Sequence, residues 1–244
     1  MSPDIALATA SRVLRQLRRD PRTLVLIVEV PCLLLTLLQF LFDEQPATFQ
    51  RVGVPLVGIF PFVSLFVVTS ITMLRERTTG TLERLMSMPL AKLYLLAGYG
   101  MAFALVAAGQ ATIVSAVAFG ALGLEVDGSL PLVIALAVGN AVLGMALGLF
   151  ASAFATTEFQ AVQFMPAFVV PQILLSGLFV PTDRMTPVLE GIAHALPLTY
   201  AFDALTRVAR GVGGGRLALD VAVIVGAIVV ALVLGAATLR RRTA

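Results

Sequence analysis

The sequence contains few of the side chains from which metal sites and disulfide frameworks are built. Its 244 residues include one cysteine, Cys32, and one histidine, His194. A lone cysteine excludes an intrachain disulfide, and a lone histidine excludes a metal site built on a histidine cluster. No GxxxxGKS/T loop for nucleotide phosphates is present, and neither a serine elbow with a base nor a carboxylate pair facing a cavity is recognisable. The sequence therefore predicts no catalytic residue, no metal site and no cofactor site in this chain.

Charged residues are also scarce. They make up 13% of the chain, whereas hydrophobic residues make up 59%, and the mean hydropathy is +0.97. This composition is typical of membrane proteins. Stretches long enough to cross a hydrocarbon core of ~30 Å as helices occur at residues 24–42, 52–74, 93–120, 130–155, 161–180 and 217–239. Because the alternation of membrane β-strands is absent, we predict one all-α integral membrane domain over 1–244 with six transmembrane helices.

The distribution of arginine and lysine predicts the orientation of these spans. With six spans both chain ends lie on one side, and that side holds twelve of the seventeen basic residues. By the positive-inside rule this side is cytoplasmic, so we expect a multi-pass protein of the cell inner (plasma) membrane with both termini in the cytoplasm. The asymmetry also explains the basic pI through attraction to anionic lipid headgroups, and no nucleic-acid partner is predicted.

The first 22 residues have the pattern of an amphipathic helix on a membrane surface. The predicted basic face consists of Arg12, Arg15, Arg19 and Arg22, and the predicted apolar face of Ala10, Val13, Leu14 and Leu17. Two interpretations remain open. The arginines anchor the first span, or they grip a partner.

A short polar island at residues 75–92, containing RERTTGTLERLMSMPL, separates the second span from the third. Gly80 permits a tight turn, and Glu83 is placed to accept from the first amides of a short helix. That helix would carry Leu82, Leu85 and Met86 on an apolar stripe and end at Pro89. An ordinary charged loop is the alternative, but it requires neither a glycine turn nor an apolar stripe.

Residues 181–210 form an irregular segment before the last span. Between two prolines, Pro187 and Pro197, apolar residues recur at helical spacing, which predicts a helix from Pro187 to Leu196 capped by Thr186. This helix is too short to cross the bilayer. We therefore expect a re-entrant hairpin that dips into or lies on the outer leaflet, followed by a second short helix at 200–210.

These segments together resemble the ABC-2 type exporter permeases. The resemblance rests on the island with Gly80, Thr81, Leu82, Glu83 and Pro89, on the string LSGLFVPTDRMTPVLEGIAHALPLTYAFDALTRVARG, which is similar to the outer hairpin, and on RQLRRDPRTL, which is similar to the connecting helix. Within the family, the chain is most similar to the short permeases of the daunorubicin-resistance kind.

The resemblance implies two groups of functional residues. The ATPase-coupling group comprises Glu76, Arg77, Gly80, Thr81, Leu82, Glu83 and Arg84. The outer hairpin and gate comprise Gly177, Phe179, Pro181, Leu189, Ile192 and Pro197. The resemblance also implies a separate ABC ATPase in two copies, which binds the ATP and Mg, and a second permease subunit, identical or homologous.

Polar residues within the spans are candidates for a substrate path, namely Glu29, Gln39, Gln163 and Gln172. An alternative is that Glu29 pairs with Arg22 or Lys92, and that the amides, Gln110 and Asn140 included, hydrogen-bond between helices. Small residues at Gly139, Gly144 and Gly148 predict a face where two helices pack closely.

The sequence thus predicts a permease that exports an amphipathic drug, lipid or glycolipid with energy from a separate ATPase. A secondary carrier or a flippase without an ATPase is one alternative, but ion coupling requires ionisable groups deep in several spans, and only Glu29 is available. An intramembrane enzyme is a second alternative, which lacks a reactive cluster.

Overall fold

The computed structural model describes residues 4–80 and 92–238, except for the side chains of residues 92, 93, 95 and 96. Every regular element in this part of the chain is helical. The helices are α1 (Asp4–Arg18), α2 (Pro21–Leu41), α3 (Pro46–Thr78), α4 (Lys92–Gly120), α5 (Leu130–Ala151), α6 (Glu158–Leu175), α7 (Pro187–Ala195), α8 (Pro197–Ala209) and α9 (Gly215–Thr238), with a 3₁₀ turn at Thr182–Arg184. The predicted class, an all-α integral membrane protein, is confirmed.

Five of the described helices are long and apolar enough to cross a membrane. They cover Pro21–Leu41, Pro46–Thr78, Ala97–Gly120, Leu130–Ala151 and Gly215–Thr238. The predicted span at 161–180 forms α6 instead, whose 18 residues extend over ~27 Å at 1.5 Å per residue. Gln160, Gln163 and Gln172 lower its apolar character. The count of six crossings therefore stays a prediction.

The break between α1 and α2 differs from the continuous segment predicted at 1–22. Asp20 caps α2, because its carboxylate accepts hydrogen bonds from the Thr23 backbone N–H at 3.2 Å and from the Thr23 hydroxyl at 2.6 Å. These bonds lower the pKa of Asp20. Pro21 then occupies the first turn of α2, where its missing N–H is tolerated. Arg22 consequently belongs to α2.

The centre of the bundle is α3, which packs most extensively on α5 and also contacts α2, α4, α6 and α8. Its contact with α5 is close, since a Cβ added at Gly144 would lie 2.1 Å from the backbone oxygen of Phe62. At Gly148 a Cβ would lie 2.4 Å from that of Phe66. The predicted small-residue face is therefore confirmed at these two positions and wrong at Gly139, where a Cβ would meet nothing within 4 Å.

The hairpin before the last span consists of two unequal helices. α8 begins at Pro197, three residues before the predicted 200, and buries Leu198, Leu205 and Val208 in contacts with α3, α5 and α9. α7 buries only Ala193, and its side chains at Val188, Leu189 and Ile192 are exposed. The second helix is thus part of the core, whereas the first presents an apolar stripe outward.

Candidate functional site

The N-terminal helix lies against the protein core, packed mainly on α4. Ala10, Val13 and Leu17, which were expected to face the membrane surface, are buried instead. The approach is close because α4 has a glycine at the contact, where a Cβ on Gly98 would lie 2.7 Å from the backbone oxygen of Ala6. The apolar face of α1 therefore holds this helix to the bundle.

Three polar residues form a largely buried cluster where α1 meets α3 and α4. They are Arg12 of α1, Glu76 of α3 and Tyr99 of α4, and we call them the junction cluster. The Arg12 guanidinium donates to Glu76 Oε1 at 3.2 Å and to Oε2 at 3.5 Å. It also donates to the Tyr99 hydroxyl, and its carbon lies 5.5 Å from the centre of the Tyr99 ring, within cation–π range. Three helices from distant parts of the sequence therefore meet at one arginine.

The cluster is shielded from water unequally. Glu76 is 4% exposed, Tyr99 is fully buried, and the Arg12 side chain is 33% exposed. Burial lowers the pKa of Arg12, but the neighbouring Tyr99 and Glu76 raise it by more, so its pKa lies above the ordinary value. A buried carboxylate requires such a partner, since an uncompensated buried charge is strongly destabilising.

A second ion pair joins the same end of α3 to α6. Arg75 donates to both oxygens of Glu158, at 2.7 and 2.9 Å, and this hydrogen bonding lowers the pKa of Glu158. Both side chains are more than half exposed, so the pair is screened by water and stabilises the fold by at most about 1 kcal/mol. Its geometry nevertheless places the first turn of α6 beside the last turn of α3.

Of the predicted coupling residues, three lie within the described part of the chain. Glu76 is turned inward to Arg12, so it does not face a partner directly. Arg77 is partly buried, and its Nε has no hydrogen-bond partner in the described part of the chain. Gly80 has a φ of +72°, the left-handed conformation that glycine adopts readily. The other four, Thr81, Leu82, Glu83 and Arg84, lie outside the described residues.

The predicted basic face of the N-terminal segment is not a single surface. Arg12 points into the junction cluster, whereas Arg15 is exposed and its Nε donates to the backbone oxygen of Ser11. Arg19 follows the end of α1, and Arg22 is on α2. The one-face prediction was wrong because it treated 1–22 as one helix and did not include the carboxylate of Glu76.

The candidate substrate-path residues lie on two helices that both pack against α3. On α2, Glu29 is exposed and Gln39 is half-buried. On α6, Gln163 is exposed and Gln172 is buried, with its side-chain amide donating to the backbone oxygen of Phe168 at 3.1 Å. The alternative pairing of Glu29 with Arg22 is not seen among the described residues, and the Lys92 side chain lies outside them.

Two further amides occupy the helical core. The Gln110 side chain donates to the backbone oxygen of Ile27 at 2.7 Å and so links α4 to α2, as the interhelical alternative predicted. Asn140 is fully buried on α5, and no described residue forms a hydrogen bond with its Nδ2 or its Oδ1. An unpaired amide in apolar surroundings is energetically unfavourable. Asn140 is therefore an unsatisfied polar group at the contact of α3, α5 and α8.

The predicted gate residues surround the hairpin. Gly177 is buried with a φ of +98°, and Phe179 is exposed beside Pro181. Leu189 and Ile192 belong to the exposed stripe of α7. Pro197 starts α8, which is tied back to α7 by hydrogen bonds from Thr199 to Ala193 and from Tyr200 to His194, each 2.8 Å to a backbone oxygen.

Sequence reasoning missed the link between the hairpin and the last helix. Arg207 of α8 lies 3.4 Å from the buried carboxylate of Asp220 on α9, measured from Nε to Oδ2. The spacing of Arg207 and Asp220 across the glycine-rich connection was a usable signal. Likewise, Glu76 lies two residues beyond the predicted span at 52–74, and a carboxylate that becomes buried at such a position requires a cation.

The sequence model of the ABC-2 type transporter family matches residues 6–209. A curated relative from Escherichia coli (strain K12), named "Probable multidrug ABC transporter permease YbhR", is 31% identical over 148 residues, which are 61% of this chain and 40% of the relative. A second, the "ABC transporter G family member 20" of Dictyostelium discoideum, is 25% identical over 159 residues, 65% of this chain and 22% of that protein. The chain therefore matches less than half the length of either relative.

The family match runs from α1, through the junction cluster, to the end of α8. It covers most of the helical membrane architecture described above. This chain belongs to the ABC-2 type transporter family.

Proposed function

We propose that this chain is the permease subunit of an ATP-driven exporter that moves an amphipathic drug, lipid or glycolipid out of the cytoplasm or the inner leaflet. A separate ABC ATPase, in two copies, supplies the energy and binds the ATP and Mg, while the permease pairs with an identical or homologous second subunit. The family match and the "multidrug" name of the bacterial relative support this proposal. The absence of a phosphate-binding loop from the sequence is in keeping with it.

The observation that carries the proposal is the junction cluster. α3 is one helix of 33 residues, ~50 Å long, and its last turn is bonded through Glu76 to α1 and, through Arg12, to α4. Residues 81–91, which lie outside the described residues, join α3 to α4 in the sequence. A partner that displaces this segment therefore moves three helices as one unit, because the cluster couples them through a continuous set of contacts.

The placement of the candidate path residues supports a path between subunits. Glu29 and Gln163 are both exposed, and the helices that carry them both contact α3. A second permease covering these faces would enclose the two polar groups with α3 between them. In the proposed arrangement both chain ends and the segment 75–92 face the cytoplasm of the inner (plasma) membrane.

The experiment that tests this function compares two glycines with the same backbone strain. Gly80 and Gly123 have φ values of +72° and +70°, and an added Cβ would meet nothing within 4 Å at either position. Valine at either site imposes a strain of about 1–3 kcal/mol. We expect Gly80→Val and Glu83→Ala to leave membrane levels unchanged and to abolish transport in vesicles supplied with ATP, whereas Gly123→Val retains transport.

Equal loss of transport in Gly80→Val and Gly123→Val, at equal membrane levels, would show that backbone strain alone is responsible. Normal transport in both Gly80→Val and Glu83→Ala would show that the island is an ordinary loop. Either result contradicts the coupling role.

A further inference from the structure

A half-open pocket lined by both polar and apolar residues lies at the end of α3 opposite the junction cluster. Its volume is about 270 Å³, and its polar lining consists of Gln50, Arg51, Glu125, Asp127, Thr206 and Arg210. Val54, Pro55 and Ala209 form its apolar part. We call it the terminal pocket. Gln50 and Glu76 are separated along α3 by 26 residues, which is ~39 Å of helix, so the pocket is remote from the proposed coupling segment.

The walls of the terminal pocket are held in place by hydrogen bonds that do not use its charged groups. The Gln50 side chain donates to the backbone oxygen of Gly123 at 2.8 Å and accepts from the Glu125 backbone N–H at 2.9 Å. The Asp127 backbone N–H donates to the backbone oxygen of Ala209 at 2.8 Å. The loop between α4 and α5 is therefore fixed to α3 on one side and to α8 on the other, and the carboxylates of Glu125 and Asp127 remain free to bind a ligand.

The charges around the pocket are not neutralised by one another. Arg51, Arg210, Glu125 and Asp127 are exposed, and among the described residues none of them has an opposite charge within ion-pair distance, 4.0 Å. In addition, the buried hydroxyl oxygen of Thr206 has no hydrogen-bond partner among the described residues. Two arginines, two acidic residues and one threonine thus line the same pocket, and no ion pair in the described part of the chain neutralises the four charged side chains.

This lining selects the chemistry of a ligand. A simple anion would be repelled by the carboxylates, and a simple cation by the arginines, whereas a zwitterion satisfies both. Arginine binds phosphate through parallel hydrogen bonds, and a carboxylate pairs with an ammonium group. The volume is slightly below the range of about 300–1,000 Å³ typical of pockets for drug-sized ligands, so the pocket fits a headgroup-sized molecule.

We propose that the terminal pocket binds a phosphoethanolamine group, with its phosphate on Arg51 and Arg210 and its ammonium on Glu125 and Asp127. Such a group occurs on zwitterionic phospholipids and in small soluble phosphodiesters. Val54, Pro55 and Ala209 line the same pocket and offer apolar contacts to the glycerol portion of a lipid.

The test is a calorimetric titration of the purified chain in detergent, without ATP, using three probes. These are dihexanoyl phosphatidylethanolamine, dihexanoyl phosphatidylglycerol and glycerophosphoethanolamine. We expect the ethanolamine lipid to bind at least about tenfold more tightly than the glycerol lipid, since one charge-assisted hydrogen bond is worth about one factor of ten. Arg210→Gln should weaken both lipids, and Asp127→Asn should weaken only the ethanolamine lipid.

Arg184→Gln is the matched control, because Arg184 is also exposed but lies in the 3₁₀ turn outside the pocket. It should leave all affinities unchanged. The variants retain the loop anchors, which are the backbone of Asp127 and the side chain of Gln50. Equal binding of the two lipids by the wild type, an unchanged preference in Asp127→Asn, or an equal loss in Arg184→Gln would each overturn the proposal.

The soluble probe identifies the source of the group. Glycerophosphoethanolamine binding as tightly as the lipid would identify a soluble phosphodiester as the ligand. Binding about tenfold weaker or more would identify a lipid headgroup whose chains contribute. Both results support a phosphoethanolamine site, and no binding of any probe would overturn it.

Discussion

The junction cluster predicts an asymmetric response to removal of its two charges. Arg12→Met leaves the carboxylate of Glu76, which is 4% exposed, without its cation. Loss of one partner from a fully buried pair costs about 3–5 kcal/mol. Because Arg12 is 33% exposed, we expect a smaller cost, about 2–3 kcal/mol. Glu76→Met leaves an arginine that can still reach water, so it should cost only about 1 kcal/mol.

The double variant separates this interaction from general loss of packing. With both charges removed, the methionines fill similar volumes, and such replacements are often neutral. We expect Arg12→Met/Glu76→Met to be no less stable than Glu76→Met alone, which gives a coupling energy of about 2 kcal/mol. The measurement is the free energy of unfolding in detergent micelles, followed by helical circular dichroism during denaturant titration.

The control is Arg15→Met, on the same helix at an exposed position, where we expect a change within about 0.5 kcal/mol. Two results would show that Arg12 and Glu76 are not energetically coupled. One is an Arg12→Met effect no larger than that of Arg15→Met, and the other is additivity of the two single variants within about 0.5 kcal/mol.

Three further predictions follow from particular contacts. Gly98→Ala should destabilise the protein by about 1–3 kcal/mol, because the added Cβ meets the backbone of α1. The control is Gly100→Ala, whose Cβ would meet nothing within 4 Å, and it should be neutral or stabilising in the same denaturant titration. Equal effects of the two substitutions would contradict the close contact. Burial raises the pKa of Asp203 above its ordinary 3.8, although Arg207, Arg216 and His194 lower it by a smaller amount. The folded state therefore loses stability as the pH rises from about 3.8 through this raised pKa, because the buried carboxyl then ionises. The thermal midpoint of Asp203→Asn should therefore exceed that of the wild type at pH 7 and approach it near pH 4, and a lower midpoint at pH 7 would contradict this. Leu189→Asp or Ile192→Asp should impair export more than Glu190→Asp, since a charge in the bilayer costs up to about 2.5–3.5 kcal/mol. Normal export by these variants, or uniform water exposure of spin labels along α7, would show that the apolar stripe lies outside the bilayer.

The sequence predicted the helices well because the signals for helix position are local. Pro187 marks a helix start that the sequence predicted, and the uncharged runs define the long helices, whereas the helix starts at Pro21 and Pro197 were not predicted. The burial of α8 was not predicted, since its apolar residues fit a surface helix as well as a core helix. Only the tertiary contacts decide between these two positions. α6 differed from the predicted span because its glutamines make it less apolar. Its length is also close to the minimum that a helix needs to cross a bilayer.

The candidate site was only partly predictable, because its bonds join residues far apart in the chain. Arg12 and Glu76 are separated by 64 positions and Arg12 and Tyr99 by 87, and nothing in the local pattern distinguishes Arg12 from Arg15. Helical periodicity assigned both to a basic surface. The close approach of α1 to Gly98 brings Arg12 to its carboxylate, and that approach depends on the packing of the whole bundle.

We propose that this chain is a permease driven by a separate ATPase, and the measurement that tests this proposal is ATP turnover together with substrate transport in proteoliposomes. We expect the purified chain alone to hydrolyse no ATP and to transport nothing, and we expect addition of the ATPase subunit to restore both activities. In the presence of that subunit, Gly80→Val should retain hydrolysis but lose transport. Stoichiometric ATP turnover that survives removal of every copurifying ATPase, or transport by the chain alone, would show that the permease is not driven in this way.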